Sequence, residues 1–563
     1  MTVTWADIQE WRSDYVNEAQ QTIEDALRTA REIVDDLEYA ANDIRSEGQG
    51  PDQMRQQLSD IQDRLDSRIN ELTEYALATA ELHGYVSRVV AKRDSAWEVA
   101  AELHETIPED GVIRPSRRRN NYNPTRDKKY RDLRACIKTA VELATEAETT
   151  VGPRFKALAD GQYAMSEGRY SESAGLANDA DPSWTPEEVS VWWALLSESE
   201  REALINKDPE KYGNLNGIDM ASRARANELA LNGHLDAAGN RIPGTGLIEK
   251  TQNELDELNQ EIERLRENGQ KVSSDLRDKQ ENLQNRLADL EAIRDQVQGN
   301  AGATLLVLEP GELGENVRAA IAIGDVDNAK HVATFVPGMG SNFRDNGRLN
   351  VEFAKNLQWA ADKFGSPTDG SVATIAWIGY EAPADITKTG DLSVTSIDKA
   401  EAGAEKLNGF VTGIHVWRSE RGMDIHQSVI SHSYGSTTAG IAMRDIGEGV
   451  VDELVYTGSP GAGVSSVGTL GVDADHTWVS ATPHLDPVRG MGLDVNFGRN
   501  PEHLEGIGHL SGDTSGGEGY KHGIWHRPDG NHSSYFHKPE TDDKHNYALE
   551  DIGKVIVGKK ERQ

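Results

Sequence analysis

Apolar side chains return every three or four positions through much of the first hundred residues, the spacing that lines one face of a helix. Ile23, Leu27, Ala30, Val34, Leu37, Ala41 and Ile44 form one such stripe, and Met54, Leu58, Ile61, Leu65, Ile69 and Leu72 form a second. Between them lies SEGQGPD, where Gly48 and Gly50 permit a turn and Pro51 suits the first turn of a helix. Residues 1–110 therefore read as a helical hairpin whose two stripes bury each other.

The pattern then loosens. Ile107 to Lys129, with its prolines, asparagines and basic side chains, reads as a linker or exposed loop, and 111–183 as linker and helices. Arg117, Arg118 and Arg119 lack the aromatic interleaving and basic surroundings of a phosphate-binding surface and read as solvated. Residues 184–240 read as short helices: Thr185 precedes Pro186 and Glu187, and Ser197 precedes Glu200 by three, both helix-start signals. Trp184, Trp192 and Trp193 read there as packing anchors. Heptads follow in 245–298, with Ile248, Leu255, Leu258, Ile262 and Leu265 on one seam and Leu276, Leu283, Leu287, Leu290 and Val297 on another, Gly269 lying between. They fit a second hairpin folded on itself and also a coiled coil between molecules.

After Gly302 the period changes. ATLLVLEP, HVATFVPG, SVATIAWIG, HQSVISHS, DELVYTGSP and HTWVSATP are short, nearly continuous apolar runs separated by helical stretches. Such runs belong to a mostly parallel sheet covered on both faces, so 300–563 reads as an α/β domain behind an all-α region.

Composition narrows the partners. A net charge of −35 opposes contact with nucleic acid and anionic membrane surfaces. The single cysteine, Cys136, rules out an intrachain disulfide and sits in a helical pattern as a small buried residue. No apolar run is long enough for a transmembrane segment, and MTVTWADIQEWRSDY is not an ordinary signal peptide.

The candidate chemistry begins at VISHSYGSTTAG, Val429 to Gly440. A serine hydroxyl attacks a carbonyl only when a base takes its proton and donors stabilise the oxyanion. Ser431-His432-Ser433-Tyr434-Gly435 has small residues two positions either side of Ser433, as a nucleophile elbow between strand and helix requires. Ser431 stands where glycine is usual, which leaves an ordinary strand-to-helix turn as the alternative. His432 reads as a packing or hydrogen-bonding residue. Downstream, Asp486 follows the HTWVSATP strand and His532 precedes the helix NYALEDIGKVIVG, giving the order nucleophile, acid, histidine. Asp473 and Asp475 are rival acids, and His503, His509, His522, His526 and His537 rival bases. Zinc at His522 and His526 ranks below this triad, because Gly523 and Pro528 oppose the helix that their spacing needs. For the oxyanion, Tyr434 offers its N–H, and FVPGMGSN offers that of Met339, with Gly338 and Gly340 allowing close approach. A plain glycine-rich turn is the alternative.

FVPGMGSN, SHSYGSTTAG, VYTGSPGAGV, LDPV and GNHSSYF, with LSESEREALINKDPEKYGNLNGIDMASRARANELAL upstream, together resemble an actinobacterial α/β-hydrolase family of unassigned function whose members carry a helical region ahead of the hydrolase. That family reads Gly-His-Ser-Tyr-Gly-Ser at the elbow, so Ser431 departs from it. The resemblance implies Ser433 as nucleophile, Asp486 as acid and His532 as base, the same three residues. The first hairpin also resembles the WXG-type modules of type VII secretion, without a clear Trp-x-Gly in its turn; Tyr39 and Asp43 have the spacing of that export signal but fall inside a helix.

The expectation is a serine hydrolase acting, without a cofactor, on an ester or related acyl bond of a small molecule or lipid. The alternative is a secretion-associated effector or helical interaction protein using the hydrolase fold as a scaffold, with self-association or a protein partner at the hairpins. Both a cytoplasmic location and export without an ordinary signal peptide stay open.

Overall fold

The computed structural model describes residues 3–114, 124–160, 179–365, 371–383, 397–482, 486, 497–517, 531–541 and 543–562. Arg117, Arg118, Arg119, His522 and His526 lie outside them.

The first hairpin pairs α1 (Ser13–Asp43) with the much longer α2 (Gln49–Leu103). Leu27, with Ile23, Ala30 and Val34, packs against Ile69, Leu72, Ala76 and Leu77. The outer part of the second stripe departs from expectation, since Met54 and Ile61 are exposed. Among the described residues, the two helices at that end have only each other to cover them. Nearer the sheet, α2 also packs against α3 (Pro124–Ala159). The loop expected up to Lys129 therefore ends earlier, at a proline that can open a helix because its missing N–H has no intrahelical role there. Lys129 is buried and bridges Glu102 and Glu505, both at 2.7 Å. Cys136 is buried on the same helix.

Four short helices follow: α4 (Pro186–Leu195), α5 (Glu198–Lys207), α6 (Pro209–Tyr212) and α7 (Met220–Asn232). Thr185 with Glu188, and Ser197 with Glu200, both form capping boxes. Trp192 and Trp193 are fully buried and stack on Tyr212, while Trp184 packs on Trp192. Helices α8 (Leu247–Glu267) and α9 (Ser274–Gly299) fold on each other, with Leu255, Leu258 and Ile262 against Leu283. The other end of α9 joins the hydrophobic core of the α/β part through Leu290 and Ile293.

Among the described residues the sheet has eight strands, in the order β1-β2-β4-β3-β5-β6-β7-β8. They are β1 (Ala303–Glu309), β2 (Arg318–Ile323), β3 (His331–Val336), β4 (Val372–Ile378), β5 (His426–His432), β6 (Glu453–Thr457), β7 (Thr477–Ser480) and β8 (Gly508–His509). Strands β3 to β8 pair in parallel; β1 and β2 add an antiparallel edge that the apolar runs alone did not indicate. Helices α10 (Phe343–Phe364) and α13 (Tyr547–Ile556) cover one face, and α11 (Asp398–Ser419) and α12 (Tyr434–Arg444) the other. Alternate residues divide between the two layers: Val429 and Leu454 face α11, while Ile430 and Val455 face α13. The chain leaves β3 for β4 on one side and returns to β5 on the other. In such open sheets, this reversal leaves a crevice at the carboxyl ends of the strands.

Candidate active site

Both motifs singled out in the sequence meet at that crevice, with Val336 of β3 paired in register with Ser431 of β5. Ser433 stands between β5 and α12 at φ 54 and ψ −132. A non-glycine residue in this region carries strain of about 1–3 kcal/mol and needs its surroundings to hold it. Here the Ser433 N–H donates to the Thr457 carbonyl at 3.0 Å, and its carbonyl accepts from the Ser436 N–H at 2.9 Å.

The small flanking residues have separate causes. A Cβ at Gly435 would stand 2.5 Å from the carbonyl oxygens of Val336 and Pro337, so this position admits no side chain. Ser431 is fully buried, and its hydroxyl donates to the Val455 carbonyl of β6 at 2.8 Å. The departure from glycine is thereby accommodated, since the extra atoms find space and a partner in the neighbouring strand.

The glycine-rich loop after β3 lies against the serine. A Cβ at Gly338 would come 2.5 Å from the Ser433 Cβ and 2.9 Å from its Oγ. Gly340, at φ 73, donates its N–H to the Pro383 carbonyl at 2.7 Å, and Tyr380 donates its hydroxyl to the Pro337 carbonyl at 2.8 Å. Met339 is partly buried between these anchored residues. Tyr434 is buried and opens α12, where amides lack intrahelical acceptors.

Asp486 and His532, 46 residues apart, meet directly: His532 Nδ1 lies 2.8 Å from Asp486 Oδ1. The Asp486 side chain is completely buried and that of His532 is 15% exposed, so the pair combines a shielded carboxylate with a reachable imidazole. Gly458 lies directly against this pair. It follows Thr457, which holds the Ser433 amide, and a Cβ on it would come 2.9 Å from Asp486 Oδ2 and 3.2 Å from His532 Nδ1. Among the described residues no hydrogen bond joins the Ser433 hydroxyl to His532. Catalytic hydrogen bonds are often loose before substrate binds.

The rivals among the described residues sit on other elements. Asp473 caps the turn before β7, and Asp475 there pairs with Arg562 at 2.9 Å. Both precede β7 and so sit at the opposite, amino edge of the sheet. His503 closes a short 3-10 turn, His509 is on β8, and His537 packs on Phe353. Among the described residues no three His, Cys, Asp or Glu side chains form a group that could hold a metal ion. A cavity of about 540 Å³ lined by Arg88, Glu187, Asn408 and Asp445 opens at the far end of α12 and contains none of the candidate residues.

Sequence reasoning missed Gly458 and Tyr535, whose hydroxyl donates to Asp486 Oδ2 at 3.1 Å. The signals were their place in the stretches VYTGSPGAGV and GNHSSYF and adjacency: Gly458 follows the last residue of β6, and Tyr535 lies three residues after His532.

A doubly wound, mostly parallel sheet with a strained serine elbow at its carboxyl edge defines an α/β-hydrolase domain. Comparison with known proteins agrees: a family profile described as alpha/beta hydrolase matches residues 314–493. That match includes Ser433 and Asp486 and stops short of His532. An uncharacterized protein of Mycobacterium bovis is 31% identical over 236 residues, covering 41% of this chain and 84% of that protein. An uncharacterized protein of Mycobacterium tuberculosis is 29% identical over 340 residues, covering 59% of this chain and 49% of that protein. The chain thus spans about half the length of the latter. No solved structure matches. The chain belongs to the alpha/beta hydrolase family.

Proposed function

We propose that the protein is a serine hydrolase that cleaves an ester or related acyl bond of a small molecule or lipid, with Ser433 as nucleophile, His532 as base and Asp486 as acid. The observation that carries the reading is the buried Asp486–His532 bond at the same sheet edge as the strained Ser433 elbow.

In this mechanism the Ser433 Oγ attacks the substrate carbonyl as its proton passes to His532 Nε2. Asp486, bonded to Nδ1, orients the ring and stabilises the imidazolium. The negative charge forming on the carbonyl oxygen is met by the N–H groups of Met339 and Tyr434, which would contribute a few kcal/mol of barrier lowering each. Collapse returns the proton from His532 to the leaving alcohol and leaves an acyl group on Ser433. Water, deprotonated by His532, then attacks this acyl-enzyme and releases the acid.

A fluorophosphonate probe tests the reading. Wild type is expected to be labelled at Ser433, and Ser433→Ala to remain unlabelled; equal labelling of both proteins would sink the assignment. Hydrolysis of acyl esters of graded chain length would then define the acyl group.

A further inference from the structure

The Asp486–His532 pair is braced by two further side chains, His432 and Tyr535. His432 is the last residue of β5, adjacent in sequence to Ser433. Its Nε2 lies 2.7 Å from the backbone carbonyl of His532. A carbonyl can only accept, so Nε2 carries the proton. Burial, reinforced by repulsion from His532, pushes the pKa of His432 down to about 3, so the ring stays neutral at physiological pH. The two imidazole centroids are 4.6 Å apart, and Phe536 meets the His432 ring edge-on at 5.5 Å.

Tyr535 acts on the other member. Its hydroxyl donates to Asp486 Oδ2 at 3.1 Å and accepts the Thr482 N–H at 2.9 Å. Asp486 Oδ1 is taken by His532. Both carboxylate oxygens are thus held, and the carboxylate cannot turn without breaking a buried hydrogen bond.

We infer that His432 and Tyr535 are positioning residues that fix the imidazole of His532 with respect to the Ser433 elbow, His432 through the backbone of His532 and Tyr535 through Asp486. The inference rests on the proposed roles of Ser433, Asp486 and His532. Its physical basis is reach. The histidine lies 100 residues after His432 in the chain, and the bond from His432 is a direct tie between it and the strand end carrying Ser433. Because proton transfer depends steeply on geometry, loosening this tie lowers the rate even when the fold survives.

The experiment compares the rate of fluorophosphonate labelling at Ser433, and the thermal unfolding midpoint, in wild type, His432→Phe, His432→Gln and Tyr535→Phe, each assayed well below its midpoint. His432→Phe keeps the ring volume but loses the donor and is expected to label at least tenfold more slowly. His432→Gln places an N–H near the position of Nε2 and is expected to recover most of that loss. Tyr535→Phe, which removes one oxygen, is expected to label several-fold more slowly. If His432→Phe or Tyr535→Phe labels at the wild-type rate, or if Gln and Phe at 432 slow labelling equally, the positioning role is wrong. Should the histidine variants fail to fold, Tyr535→Phe decides alone. Failure of the underlying reading looks different: wild type itself is then not labelled at Ser433.

Discussion

Ser433 holds a conformation that its neighbours impose and its own side chain resists. Glycine adopts φ 54 without that cost, so Ser433→Gly is expected to raise stability by about 0.5–1 kcal/mol while abolishing probe labelling. Paired chemical denaturation and labelling would check both parts, and a destabilised Ser433→Gly protein would contradict the strain. At this scale much of the candidate site could be read from the chain. Ser433, Gly435, Asp486 and His532 stand out because an elbow needs small residues at fixed offsets and the proposed acid and base follow in order. Tyr535 and Gly458 could not be read in this way. Each lies in a stretch that carries the resemblance but has no chemistry of its own at a fixed spacing, and each matters for what the folded sheet edge brings beside it. Ser431 departed from the usual pattern for a reason equally invisible in the sequence, a carbonyl on the next strand.

Helices announced themselves through period and caps. The stripes of α1 and α2, the capping boxes of α4 and α5, and the heptads of α8 and α9 each correspond to an element. Strand β2 did not stand out because RAAIAI is short and alanine-rich, lacking the branched side chains that mark a strand, and its identity comes from lying between β1 and β4. The contact between α1 and α11 was equally hidden. Glu420, which follows α11, is buried against α1, where Gln20 donates to it at 2.9 Å and Ser190 also bonds to it. Burial, with the nearby charge of Glu24, raises its pKa to about 8, despite Arg421. Its folded pKa exceeds the unfolded value, so the native state retains a proton that the unfolded chain releases. This group's favourable contribution is full below about pH 4.5 and is lost as pH rises through about 8, an effect on the order of a few kcal/mol. Glu420→Gln, which cannot ionise, is expected to flatten the fall in thermal midpoint between pH 5 and 8; an unchanged slope would show that other groups carry it.

Across the whole molecule, the helical layer and the hydrolase sheet share polar contacts as well as apolar ones. Lys92 reaches Asp445 at 3.1 Å, Ser95 donates to the Leu470 carbonyl at 3.1 Å, and Glu102 accepts from Ser466 at 2.9 Å while pairing with Lys129. Replacing Lys129 with methionine leaves the largely buried Glu102 short of a cationic partner and is expected to cost about 1–3 kcal/mol. Denaturant unfolding followed separately by tryptophan fluorescence and far-ultraviolet circular dichroism should show this loss as one coincident shift. Two separated transitions would instead mean that the layers unfold independently. None of this was legible in advance, because α2 and α3 touch the sheet through residues whose partners lie hundreds of positions away.

Helix α13 closes one face of the sheet with Leu549, Ile552, Val555 and Ile556, all fully buried, and it follows every described strand. A ribosome that stalls before residue 531 would release a chain lacking both His532 and this cover. Such a fragment would lack the proposed base and would be adhesive, displaying the apolar surface that chaperones and proteases recognise. The position of His532 beyond every described strand thus means that the proposed activity waits until those strands have been made.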